Sequence, residues 1–86
     1  MKEFTYTIQD ALGIHARPAG LLAKKAKSYA DTTVSLTANG KTVNLAQLMK
    51  LMALGVKQGT EVKVTCEGAN EDAAAEGLLA FLKENL

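Results

Sequence analysis

The chain has no tryptophan and only one cysteine, one proline and one histidine in 86 residues. Aromatic residues make up 5 % of it, so its core must be aliphatic. A lone Cys66 cannot close an internal disulfide, which suits a reducing compartment, and one histidine with one cysteine gives no zinc-ligand cluster of standard spacing. No metal and no cofactor are expected. No stretch reaches the roughly 20 apolar residues of a membrane helix, and Met1-Lys2-Glu3-Phe4-Thr5 lacks the apolar run of a signal peptide. A cytoplasmic protein without direct membrane insertion is therefore expected. Ten basic and nine acidic residues leave a net charge of +1, without the basic excess of a general nucleic-acid binder. A local basic patch is still compatible with that balance. Walker and Rossmann glycine patterns and a G-x-S-x-G elbow are all missing, so neither nucleotide binding by those routes nor serine-hydrolase chemistry is indicated.

What is present is 48 % apolar residues, enough for one core, and a single domain over residues 1–86 is expected. Phe4, Tyr6 and Ile8 alternate with Glu3, Thr5 and Thr7, which predicts a half-buried strand. A loop over 9–13 leads to a helix over about 16–29, because Pro18 is tolerated only in a first turn. Val34 and Leu36 mark a second strand, and Asn39-Gly40 predicts a hairpin into a short third strand over 41–43. A short helix over 45–54 closes at Gly55. Val62, Val64 and Cys66 alternate with Glu61, Lys63 and Thr65 in a fourth strand, which makes Cys66 a small core residue rather than a nucleophile. Asn70 is a plausible N-cap for a last helix with Ala74, Ala75, Leu78, Phe81 and Leu82 as its apolar stripe. The order β-α-β-β-α-β-α with right-handed split crossovers predicts an α+β fold. It is an open-faced β-sandwich, with an antiparallel sheet ordered 1-4-2-3 and helices on one side.

At 3.6 residues per turn, Ala19, Leu22, Ala23, Ala26 and Tyr29 form the core arc of the first helix. The opposite arc carries Arg17, Gly20, Leu21, Lys24 and Ser28, with Lys27 at its edge. Leu21 is thus an apolar residue on a basic face, unremarkable by itself. In the second helix Leu45, Leu48, Met49, Leu51, Met52, Ala53 and Leu54 are too many for a helix packed on one side, so some should be exposed. Two readings stay open there: methionines filling gaps in a mostly buried helix, or a flexible partner-binding surface. If Leu21 and Met49 lie close, Arg17, Lys24, Lys27 and Lys50 rim an apolar spot and steer it toward acidic proteins.

The only histidine and the only proline fall together in Gly13-Ile14-His15-Ala16-Arg17-Pro18-Ala19-Gly20, at a helix start. Unpaired N–H groups and the positive end of the peptide dipoles receive phosphate oxygens there. Arg17 adds a permanent, fork-shaped phosphate donor on the same turn. His15 so placed suits nucleophilic transfer of a phosphoryl group between two partner proteins.

This motif resembles the active-site segment of the HPr family, the histidine-containing phosphocarriers of the bacterial sugar phosphotransferase system. Asn39-Gly40-Lys41-Thr42-Val43-Asn44-Leu45, Leu48-Met49-Lys50-Leu51 and Leu54-Gly55-Val56-Lys57-Gln58-Gly59-Thr60 extend the likeness over nearly the whole chain. The resemblance implies a monomeric carrier, not an enzyme, phosphorylated by enzyme I on Nδ1 of His15 to give pros-phosphohistidine and discharged to IIA domains of sugar permeases. It implies phosphate binding by Ala16 and Arg17, and partner docking through Gly20, Leu21, Lys24, Lys27, Leu48, Met49, Lys50 and Met52. Two positions depart from it. Gln47 stands where many members carry a regulatory serine, so serine phosphorylation is expected to be absent. Leu12 replaces a small polar residue and removes a side-chain hydrogen bond while leaving the backbone donors. Two other functions compete: a regulatory phosphorelay paralogue, such as a nitrogen-related one, and a protein-binding module whose histidine is never phosphorylated.

Overall fold

A computed structural model describes residues 1–29 and 31–86. The elements run β1 (Lys2–Thr7), α1 (Ala16–Lys27), β2 (Thr32–Ala38), β3 (Lys41–Asn44), α2 (Leu48–Ala53), β4 (Glu61–Gly68) and α3 (Glu71–Asn85). The four strands form one sheet of order β1-β4-β2-β3, antiparallel throughout. Both the expected element order and the expected strand order are found.

Register follows from the alternation of side chains. Phe4 pairs with Val64, Val64 with Leu36, and Leu36 with Val43, so one apolar row crosses all four strands. A one-residue slip would turn that row to the wet face, so the helices fix the pairing. They cover the apolar side: α3 packs on β1, β4 and β2, and α1 packs on α2 and α3. Ala19, Leu22 and Ala26 of α1, Leu51 of α2, and Ala74, Leu78 and Leu82 of α3 join Leu36, Val62, Val64 and Cys66 in the core. Burial of a leucine of this kind contributes about 1.5–3 kcal/mol. Burial also raises the Cys66 thiol above its ordinary pKa, through loss of solvation and then the nearby Glu71 charge, so the thiolate needed for nucleophilic chemistry is disfavoured.

The hairpin turn has Asn39 at φ 53° and Gly40 at φ 76°, the paired positive values of a tight two-residue connection. Asn39 Nδ2 donates to the Leu54 carbonyl at 3.1 Å and so ties the turn to the end of α2.

Several boundaries differ from expectation, three of them with a local cause or consequence. The second helix begins at Leu48, not at residue 45. The N–H of Leu45 goes to the Val34 carbonyl, and Asn44 Oδ1 accepts the Ala46 N–H in a local turn, so residues 45–47 are committed elsewhere. The first helix stops at Lys27, where Ser28 is the C-cap and its hydroxyl donates back to the Lys25 carbonyl. The third strand continues to Asn44.

Candidate functional site

His15 is the N-cap of α1, with extended backbone at φ −116° and ψ 177°, and its carbonyl accepts the Ala19 N–H. The amides of Ala16 and Arg17, in the turn that follows, have no carbonyl within the helix to bond. Pro18 lacks an N–H and is buried under the same turn, so it stiffens the helix start without adding another donor.

The loop before His15 is clamped from three directions. Ile14 N–H donates to the Val56 carbonyl at 3.1 Å, Gly59 N–H to the Ile8 carbonyl at 2.8 Å, and Asp10 N–H to the main-chain oxygen of Leu86 at 2.8 Å. Gln58 Nε2 reaches the Gln9 carbonyl at 3.1 Å. Gly13 has φ 68°, and a Cβ there would lie 2.2 Å from the Val56 oxygen. No other residue type fits without moving one of the two segments.

A shallow pocket opens beside the imidazole, lined by Asp10, His15, Arg17, Pro18, Leu21 and Asn85. His15 and Arg17, expected together from the sequence, do share this pocket. Nε2 of His15 lies 3.8 Å from Asp10 Oδ1, and the two side chains are 36 % and 31 % exposed. Asp10 and Asn85 are additions that sequence reasoning misses. Asn85 comes from the far end of the chain and has no local motif, whereas an acidic residue in the loop ahead of His15 is a signal that could have found Asp10. Among the described residues no group of three or more His, Cys, Asp or Glu is placed to hold a metal ion. Among them, too, no helix is long and apolar enough to cross a membrane.

The expected outward face of α1 is found. Ala16, Arg17, Leu21, Lys24 and Lys27 are exposed and Gly20 is half-buried. On α2, Met49 is 80 % exposed, while Leu48 and Met52 are exposed to a lesser degree and Leu51 is fully buried. The open question about this helix is thereby answered at the level of exposure: its methionines face outward rather than filling core gaps. Lys50 is exposed beside them, and Gln47 is the exposed N-cap residue of α2. Leu12 is 72 % exposed at the tip of the loop.

An open-faced sheet with one pocketed imidazole at a helix head is an architecture suited to a small group-carrying protein. Comparison with known proteins gives the class a family. The family model described as "PTS HPr component phosphorylation site" matches residues 2–84. The phosphocarrier protein HPr of Mycoplasma capricolum is 37 % identical over 78 residues, which cover 91 % of this chain and 86 % of that one. The crystal structure of HPr-C-His from Thermoanaerobacter tengcongensis superposes with a TM-score of 0.92 at 36 % identity, covering 98 % of this chain and 93 % of the other. An HPr dimer from the same organism gives a TM-score of 0.76 at 36 % identity, covering 98 % of this chain and 95 % of that one. The chain belongs to the HPr family, the phosphocarrier proteins of the phosphotransferase system.

Proposed function

We propose that His15 carries the phosphoryl group on Nδ1, taking it from phosphorylated enzyme I and passing it to IIA domains of sugar permeases. The observation that carries this reading is the placement of His15. Its imidazole is at a helix head, shares a pocket with the Arg17 guanidinium, and has Nε2 turned to Asp10, which leaves Nδ1 as the nitrogen not engaged by the carboxylate. In uptake, the Nδ1 lone pair forms the new P–N bond while the donor's bond to phosphorus breaks. The free amides of Ala16 and Arg17 and the Arg17 side chain receive the phosphate oxygens.

Gly20, Leu21, Leu48, Met49 and Met52 form the docking face, with Lys24, Lys27 and Lys50 steering acidic partners toward it. The protein acts as a cytoplasmic monomer, without nucleic acid and without inserting into the membrane. Gln47 has no hydroxyl, so a serine-directed kinase does not act at the head of α2.

Incubation with phosphoenolpyruvate and enzyme I, followed by intact-mass measurement, tests the assignment. One acid-labile phosphate is expected on the natural chain and none on His15→Ala, while a serine-directed kinase with ATP leaves the mass unchanged. Phosphate retained by His15→Ala would overturn the assignment of His15. No uptake at all would favour a binding module.

A further inference from the structure

The carrier chemistry leaves one charged side chain of the pocket without a role. Asp10 is an odd neighbour for a phosphate, because its carboxylate repels the group the site is built to hold. Its position is nevertheless fixed. The Asp10 N–H bonds the Leu86 oxygen, the Asp10 carbonyl accepts the Gly13 N–H at 2.9 Å, and Oδ1 accepts the Leu12 N–H at 2.8 Å. The same Oδ1 lies 3.8 Å from His15 Nε2. Of the two charged groups that line the pocket, Asp10 and Arg17, only Asp10 favours positive charge on the ring. Asn85, from α3, is neutral.

We propose that Asp10 is a positioning residue that holds a proton on Nε2 of phosphorylated His15 and so sets how readily the phosphoryl group leaves Nδ1. The inference rests on the reading that His15 is phosphorylated on Nδ1. With Nε2 protonated, the P–N bonding pair returns to Nδ1 and the ring departs as neutral imidazole, still carrying the Nε2 proton. Without that proton the leaving group is an imidazolate, a far poorer one. On the acceptor side a new bond to phosphorus forms from the partner's nucleophile as the P–N bond breaks. In hydrolysis a P–O bond forms to water, whose proton goes to solvent. A carboxylate facing the opposite ring nitrogen therefore promotes release while staying clear of the phosphate.

The test is the rate at which the isolated phosphoprotein loses phosphate across about pH 5 to 9, the range in which imidazoles titrate. The chain is charged with phosphoenolpyruvate and enzyme I, freed of enzyme I, and followed by intact mass. Asp10→Asn keeps an oxygen for the Leu12 N–H and removes only the charge. Its slow, alkaline limb should start at lower pH, with loss about fivefold slower than the natural chain near neutrality. The two rates should converge in acid, where solvent protonates both rings. Asp10→Glu should recover part of the difference. If the natural chain is charged on His15 and the two profiles superimpose, this inference fails and the carrier reading stands. A uniform slowing at every pH also overturns it, since that would mark a loop distortion. A chain that takes up no phosphate on His15 overturns both.

Discussion

Gly13 shows how little freedom the loop before His15 has at the level of a single residue. Its left-handed backbone coincides with a close approach, since a Cβ added there would meet the Val56 oxygen at 2.2 Å. Gly13→Ala should therefore combine φ strain with loss of the Ile14–Val56 hydrogen bond, and cost about 2–4 kcal/mol of stability. A lowered urea midpoint with an unchanged slope would bear this out, whereas a shift below about 0.5 kcal/mol would mean that the loop can slide away from Val56. His15 and Arg17 are legible in the sequence because proline and glycine bracket them and fix where the helix starts. Asp10 offers only a weak signal, an acidic residue in an aperiodic loop five positions ahead of His15, and Asn85 at the end of α3 offers none, since only tertiary packing brings it to the imidazole.

Among the elements, α2 is the most divided. Leu51 is completely buried, while Met49, two residues earlier, is 80 % exposed. Leu51→Ala should cost about 2–5 kcal/mol, as core leucine truncations do, and lower the thermal midpoint. Met49→Glu should leave that midpoint within a degree or two yet slow phosphoryl transfer from enzyme I. Stopped transfer with intact folding would separate docking from stability, and unchanged rates would remove Met49 from the docking face. Pattern alone overextends this helix, because Leu45 has helical spacing to Leu48 and Met49. That leucine is buried for another reason: its amide continues the bonding of β2 and its side chain joins the core. Strand order, by contrast, is legible from alternation and crossover handedness alone.

Across the whole molecule, stability should have a defined pH window. The Met1 amino group lies 2.6 Å from Glu71 and ties the start of β1 to the first turn of α3. The hydrogen bond to Glu71 raises the Met1 amine above its ordinary range. The same bond, with help from the Gly68 N–H, lowers the Glu71 carboxyl below its own. Glu71 therefore stabilises above the ordinary carboxylate value of about 4.3 and loses that contribution as pH falls through its lowered folded value. The amine stabilises below the ordinary α-amino value of about 8 and loses it as pH rises through its raised folded value. The thermal midpoint of the natural chain should exceed that of Glu71→Gln most between about pH 5 and 7, and the gap should narrow as pH falls through the lowered Glu71 value or rises through the raised Met1 value. A gap independent of pH would mean that the pair contributes only through packing.

The bonds that clamp the loop also set when the site can exist. His15 is made early in synthesis, yet the partners of its loop are Val56, Gln58 to Thr60 and Leu86, and β1 waits for β4 to pair. A fragment that stops after α2 contains His15 but none of the residues 58–60 or Leu86 that hold its loop, nor Asn85 of its pocket, so the pocket takes shape only once those later segments have been added and packed.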